Sequence, residues 1–249
     1  MQQQLSVVIP FFNEAGNVLP LVREVFAALD GADFELLLVD DASSDATLAE
    51  MQQARTALGP RLRILRHRRR AGQSTALLTG VRAARHPWVV SLDGDGQNDP
   101  ADIPRLLACL REPGFAPAVQ LVIGDRRRGR HDRWLRRVSS RVANAVRNAV
   151  LHDGVPDSGC GLKLLRRDAF LALPYFDHMH RFLPVLVRQA GGQVLSVPVS
   201  HRPRLRGQSK YGVTNRLFVG IVDLFGVAWL GRRNRHTECL AEEPETFPS

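Results

Sequence analysis

The feature that most narrows the fold is a regular alternation over the first 125 residues. Short apolar runs, LSVVIP (5–10), FELLLV (34–39), LRIL (62–65), WVVSL (88–92) and VQLVIG (119–124), alternate with longer segments at 15–30, 44–58, 73–85 and 101–111, where Leu, Val and Ala recur at helical spacing. Runs that are apolar at nearly every position predict strands buried on both faces. Their alternation with helices predicts βα units and an α/β fold with a mostly parallel central sheet. In such sheets ligands bind beyond the carboxyl ends of the strands. The polar residues directly after each strand are therefore the first place to look for chemistry.

Those strand ends read Pro10-Phe11-Phe12-Asn13-Glu14, then Asp40-Asp41-Ala42-Ser43-Ser44-Asp45, then Asp93-Gly94-Asp95-Gly96-Gln97. Ser43, Ser44 and Asp45 have the composition of a helix cap. A cap does not account for two adjacent acids after an apolar strand, because like charges this close need a cationic or hydrogen-bonding partner. Asp93 and Asp95, one residue apart on a glycine-loosened turn, form the sharpest signal. Two carboxylates and the Gln97 amide are an all-oxygen set suited to Mg²⁺ or Mn²⁺ completed by water and phosphate. An isolated Asp-Gly pair would more often be a hairpin turn; its place after a buried strand, beside other acidic strand ends, favours the metal. No Gly-x-Gly-x-x-Gly follows the first strand and no P-loop motif occurs anywhere, so dinucleotide and P-loop chemistry lose their main support.

Charge bears on the partners. The 34 basic residues outnumber 25 acidic ones, for a net charge of +9, and only Lys163 and Lys210 are lysines. Guanidinium groups favour bidentate contacts with phosphate and carboxylate, so anionic lipid, nucleic acid and phosphorylated substrates all stay open on charge alone. Aromatics at 6%, with no helix-turn-helix or RNA-stacking motif, argue against a nucleic-acid-binding protein. Three widely spaced cysteines (Cys109, Cys160, Cys239) argue against a disulfide framework and fit a reducing compartment. The polar start Met1-Gln2-Gln3-Gln4 lacks the pattern of a secretory signal, and a cytoplasmic location is expected.

At this point the motifs resemble a known family. VVIPFFNE (7–14), LLLVDDASSDAT (36–47), AGQSTALLTGVRAA (71–84) and SLDGDGQNDP (91–100) are similar to family 2 glycosyltransferases of the GT-A fold. GDRRRGR (124–130), DSGCGLKLLRRDAF (157–170) and RLRGQSKYG (204–212) resemble the polyprenyl-phosphate type, which includes dolichol-phosphate mannose synthase and bacterial undecaprenyl-phosphate sugar transferases.

The resemblance implies roles position by position. Pro10, Phe12 and Glu14 fall where the first strand end contacts base and ribose, with Phe12 at a place where tyrosine is frequent. Val39, Asp41 and Asp93 match further nucleotide contacts. Asp93, Asp95 and Gln97 match the metal-binding set, with Asp95 and Arg126 at the departing diphosphate. Arg136, Arg204 and Lys210 align with basic residues around the acceptor phosphate. Asp157 opens a pattern whose aspartate positions the sugar, acts as base toward a hydroxyl, or only caps a turn. The activity so implied is an inverting, metal-dependent transfer from GDP-mannose or a UDP-sugar to a polyprenyl phosphate. The alternative is a GT-A enzyme acting on a hydroxyl of a glycan or lipid glycan. A lipid phosphate is already anionic and needs cationic clamps more than a base.

The domain reading places a GT-A catalytic domain at 1–212, an apolar and basic helix at 213–236 and an acidic, disordered tail at 237–249. The run LFVGIVDLFGVAWLG (217–231) is broken by Asp223. It is shorter than the roughly 20 residues needed to cross a bilayer. Trp229 with Arg232, Arg233 and Arg235 beyond it predicts a helix lying on an anionic membrane surface, with the protein peripheral on the cytoplasmic side. Packing against the catalytic domain or a second subunit is the competing expectation.

Overall fold

The structure is a computed structural model that describes residues 4–112, 118–127, 151, 154, 157–203 and 213–233, with only the backbone given for 213–219. Seven strands, β1 (Leu5–Phe11), β2 (Phe34–Asp40), β3 (Leu62–Arg66), β4 (Trp88–Ser91), β5 (Val119–Asp125), β6 (Lys163–Arg166) and β7 (Gln193–Pro198), form one sheet in the order β3-β2-β1-β4-β6-β5-β7. All neighbours are parallel except at β6, which runs antiparallel to both β4 and β5. The five sequence-predicted strands are present. The two not expected, β6 and β7, lie beyond the region of regular alternation, and exposed β7 residues mark it as an edge.

The helices are α1 (Val18–Ala28), α2 (Thr47–Leu58), α3 (Gln73–Ala83), α4 (Ile103–Ala108), α5 (Arg167–Ala172), α6 (Leu183–Gln189) and α7 (Val213–Arg233). The helix expected at 101–111 is instead α4 with a 3-10 turn at each end. Pro100 and Pro104 each lack the amide hydrogen a continuous ladder would need. Every residue of β2 is buried. Alternate residues serve opposite faces: Leu36 and Leu38 pack with α1, α2 and α4, whereas Leu37 and Val39 pack with α3, α5 and α6. Burial of each such side chain stabilises the fold by about 1.5–3 kcal/mol before entropy is set against it.

Helix α7 sits on the second face through buried Leu224 and Val227, with Gln189 donating to the Val227 carbonyl at 3.3 Å. Asp223 faces His178 at 3.3 Å. The outer face carries Ile221, Val222, Phe225 and Trp229, between 45 and 65% exposed. Among the described residues no helix is long and apolar enough to cross a membrane. The expected tail at 237–249 lies outside the described residues.

Candidate functional site

The carboxyl ends of β1, β2 and β4 meet at one edge of the sheet, and their loops are tied together by side chains. The β1–α1 loop presents four successive amides to the segment after β2. Asn13 N–H reaches Ser43 Oγ at 3.0 Å, Glu14 N–H reaches Thr47 Oγ1 at 2.8 Å, Ala15 N–H reaches Asp45 Oδ2 at 3.2 Å and Gly16 N–H reaches Glu50 Oε1 at 2.7 Å. Asp45 also accepts the Thr47 amide at 3.0 Å at the start of α2, whereas Ser43 and Ser44 bond Asn13 and tie the two loops together. Glu14 accepts from Asn17 Nδ2 at 2.8 Å. Pro10 is half-buried and Phe12 lies under the Arg70 guanidinium, 4.2 Å from the ring centre.

Asp41 is committed inside the protein. Its Oδ1 accepts from Ala71 N–H at 2.8 Å and pairs with His67 Nδ1 at 2.7 Å, and its Oδ2 accepts from Gly72 N–H at 2.8 Å. The acid thereby fastens the loop before α3 to the end of β2. Val39 is fully buried near Gly80 of α3 and backs the site from the core.

The Asp93–Gln97 turn is not a hairpin: β4 leads into it, and Asn98 then bridges to His201. Gly94 is required there because a Cβ would lie 2.6 Å from the Phe11 ring and 2.7 Å from the Pro10 carbonyl. Asp95 accepts the Gln97 amide at 3.1 Å, and the Gln97 carbonyl accepts from Arg202 N–H at 3.1 Å. Asp93 accepts from Gln73 Nε2 at 2.7 Å, and its own amide donates to Asn98 Oδ1 at 3.1 Å. Burial and the neighbouring Asp95 push the Asp93 carboxyl above its ordinary value, against the opposing charges of Lys163 and Arg126.

The other wall comes from β5 and β6. Lys163 opens β6 and pairs with Ser91 of β4 and Ile123 of β5. An antiparallel strand starts where its neighbours end, so residues preceding β6 reach the same edge as residues following β4 and β5. Gly161 abuts Asp93 so closely that a Cβ would fall 2.2 Å from Oδ2. Lys163 is 4% exposed and donates to the Cys160 carbonyl, and burial lowers its pKa despite nearby Asp93 and Asp157. Arg126 follows β5 and pairs with Asp157 in a fork, Nε to Oδ2 at 2.8 Å and Nη2 to Oδ1 at 2.9 Å. Burial would lower the Arg126 pKa, but the bonds and charge of Asp157 outweigh it and raise it.

Phe12, Glu14, Asp41, Asp93, Asp95, Gln97, Arg126 and Asp157 thus all belong to loops at this one edge, beside Pro10 near the end of β1. Arg136, Arg204 and Lys210 lie outside the described residues. Gln73, Gly161, Lys163 and His67 are the additions. Lys163 carried one usable signal, a lysine in a chain whose other basic residues, Lys210 apart, are arginines. Gln73 and His67 carried none, since only the fold brings them to Asp93 and Asp41.

Among the described residues no three His, Cys, Asp or Glu side chains form a ready-made metal cage. The fit to a divalent cation rests on the two carboxylates. The charge of Asp95 raises the Asp93 carboxyl, the donors of both are hard oxygens, and Gly161 places no side chain against Asp93 Oδ2. That arrangement suits Mg²⁺ or Mn²⁺, which take few protein carboxylates together with phosphate and water oxygens.

Comparison with known proteins adds the lineage. The family model described as glycosyl transferase family 2 matches residues 6–173. The chain is 35% identical over 233 residues to a dodecaprenyl-phosphate galacturonate synthase of Rhizobium johnstonii, covering 92% of this chain and 68% of the relative. It is 33% identical over 213 residues to an undecaprenyl-phosphate 4-deoxy-4-formamido-L-arabinose transferase of Edwardsiella ictaluri, covering 85% and 64%. The chain therefore spans about two thirds of the length of these relatives. Glucosyl-3-phosphoglycerate synthase of Mycobacterium tuberculosis, solved with Mn²⁺, UDP-glucose and phosphoglyceric acid, superposes with a TM-score of 0.69 at 19% identity over 94% of this chain and 81% of that one. That likeness is one of fold.

Proposed function

Because this chain belongs to glycosyl transferase family 2 and carries the GT-A fold, we propose that it moves a sugar from a nucleotide-sugar to a polyprenyl phosphate with inversion at the anomeric carbon. The observation that carries this reading is the meeting of Asp93 and Asp95 with Arg126 at one sheet edge, in a chain whose curated relatives are named for polyprenyl-phosphate sugar transfer.

In this reading an oxygen of the acceptor phosphate attacks the anomeric carbon from the face opposite the diphosphate. The new carbon–oxygen bond forms as the bond to the diphosphate breaks, and the nucleoside diphosphate leaves with the electron pair. Asp93 and Asp95, with Gln97 beside them, would hold an Mg²⁺ or Mn²⁺, which would supply positive charge to offset that of the departing group. Arg126 adds a permanent cation at the same place. Phe12, Pro10 and Glu14 form the wall assigned to base and ribose, and Asp41 keeps the α3 loop in place beneath it. Arg136, Arg204 and Lys210 are assigned to the acceptor phosphate.

The lipid acceptor requires a membrane, and α7 supplies a surface for one. Its apolar ridge of Ile221, Val222, Phe225 and Trp229 ends at Arg232 and Arg233, with the Arg233 guanidinium 5.9 Å from the Trp229 ring centre. A ridge of that kind inserts shallowly while the arginines meet anionic headgroups, each worth about 1 kcal/mol. The protein is then peripheral on the cytoplasmic face. Sedimentation with anionic liposomes that salt partly reverses, and that Phe225→Asp abolishes without unfolding, is the expected result. A dimer split by Phe225→Asp, with no liposome binding, would assign the ridge to a second copy instead.

The direct test supplies purified protein, Mn²⁺, undecaprenyl phosphate and a panel of UDP- and GDP-sugars, and reads the lipid by mass. A glycosylated lipid phosphate is expected with one donor. An unmodified lipid, with sugar appearing on a glycan hydroxyl, would replace this acceptor by the other.

A further inference from the structure

We propose that Asp157 is a positioning residue for Arg126, not a proton acceptor in the reaction. The geometry engages both carboxylate oxygens with Arg126. Oδ1 accepts from Arg126 Nη2 at 2.9 Å, and Oδ2 accepts both from Nε at 2.8 Å and from the Arg126 main-chain N–H at 3.2 Å. The pair is sheltered, with 13% of the Arg126 side chain and 8% of the Asp157 side chain exposed. A bidentate fork of this kind fixes the plane of the guanidinium as well as its position.

Two further contacts show that the segment carrying Asp157 is itself held. Cys160 N–H returns to the Asp157 carbonyl at 3.4 Å, closing the turn. Lys163, buried at the start of β6, donates to the carbonyl of Cys160 from below. The turn is thus pinned to the strand that lies between β4 and β5. Arg126 is bound through its Nε edge, which leaves Nη1 and its two hydrogens outside the fork.

For Asp157 to take a proton from an acceptor hydroxyl, it would have to give up a charge-assisted bond and leave a largely sheltered guanidinium short of its counter-ion. Removing one member of such a pair is strongly unfavourable. A mechanism that needs no base from this loop fits an acceptor that arrives as an anion. The inference rests on the glycosyltransferase reading for the role of Arg126 and sharpens the acceptor class within it.

The test is a cycle of Asp157→Asn, Arg126→Ala and the double variant. It is read first on binding of a nucleoside diphosphate with Mn²⁺, then on transfer. Asp157→Asn is expected to weaken nucleotide binding and kcat/KM by roughly tenfold to a hundredfold. The double variant should be no worse than Arg126→Ala, because Asp157 acts only through that residue. The pH profile of kcat/KM should keep its shape in Asp157→Asn. A turn that merely cements the fold would lower Tm while the folded protein bound nucleotide normally, and that outcome overturns the proposal. So do losses that multiply in the double variant, or an acid limb in the parent profile that Asp157→Asn removes. An unmodified polyprenyl phosphate would sink the acceptor assignment alone, since the binding cycle contains no acceptor and still decides the role of Asp157.

Discussion

The two ends of the sheet carry carboxylates in opposite conditions. At the amino end, Glu35 of β2 is 6% exposed and saturated: Oε1 accepts from Ser6 Oγ at 2.8 Å and from Arg85 N–H at 2.6 Å, and Oε2 from Arg63 at 2.7 Å. Burial works to raise its pKa, but the bonds from Arg85, Arg63 and Ser6 overcome it and leave it below the ordinary value. At the carboxyl end, Asp93 faces a second carboxylate and sits above its ordinary value. One acid is neutralised by the protein, whereas the other carries strain that a bound cation would relieve. The difference separates an acid held by the protein's own donors from one beside a like charge, the acid we propose for the cation.

The comparison breaks most visibly by neutralising the carboxyl end. Asp93→Asn or Asp95→Asn should reduce transfer by roughly a hundredfold or more, since a metal-borne charge is worth several kcal/mol at a departing diphosphate. The fold should hold, because each change relieves a like-charge contact. Urea unfolding beside Mn²⁺-dependent nucleotide binding by calorimetry reads both. Near-normal transfer with unchanged metal dependence in both variants would reduce the turn to a structural one.

The same comparison shows what the sequence could reveal. Asp93, Asp95 and Asp41 were legible because a parallel strand delivers the residues of its carboxyl-end loop immediately after itself, and an acid following an apolar run stands out. Asp157 and Gly161 obey the reverse rule, since β6 is antiparallel and its site residues come before it or, like Lys163, at its first position. Strand direction is a tertiary property, settled by pairing with β4 and β5, and no local pattern encodes it. The family motif DSGCGLK brought Asp157 to notice without its partner. That Asp41 would be spent on Ala71, Gly72 and His67 was likewise invisible, because those contacts join residues 26 to 31 positions apart.

A smaller change crosses from one wall of the site to the other. Gly161→Ala would place a methyl group 2.2 Å from Asp93 Oδ2 and 2.6 Å from Asn98 Oδ1. Overpacking of this kind costs about 1–3 kcal/mol in stability. The Asp93 carboxylate must swing away, so Mn²⁺-dependent nucleotide affinity should fall by roughly tenfold on the same scale of energy. Calorimetry on the folded variant checks it, and unchanged affinity would mean that the β6 turn does not constrain the acid.

The amino end predicts the converse pattern, and the effect there is smallest on function. Glu35→Gln leaves Arg63 without a counter-ion and should destabilise the fold by about 1.5–3 kcal/mol, while kcat changes little because the site is at the opposite end of the strands. The pH dependence follows from the sign of the shift. The folded state holds Glu35 below the value of 4.5 that an unperturbed glutamate has, so below about that pH the unfolded chain binds the extra proton first. The stabilisation is fully present above 4.5, declines as the pH falls, and is gone once the pH passes below the folded value. Urea midpoints measured through the acid range should therefore drop in the parent protein and drop less steeply in Glu35→Gln. Asp93→Asn, carried alongside, should keep the Glu35 contribution to that slope, because its acid is elsewhere in the sheet. Equal acid slopes in parent and Glu35→Gln would mean that Arg63, Ser6 and the Arg85 amide do not hold the charge of Glu35, and the contrast between the two ends would fail at its structural pole.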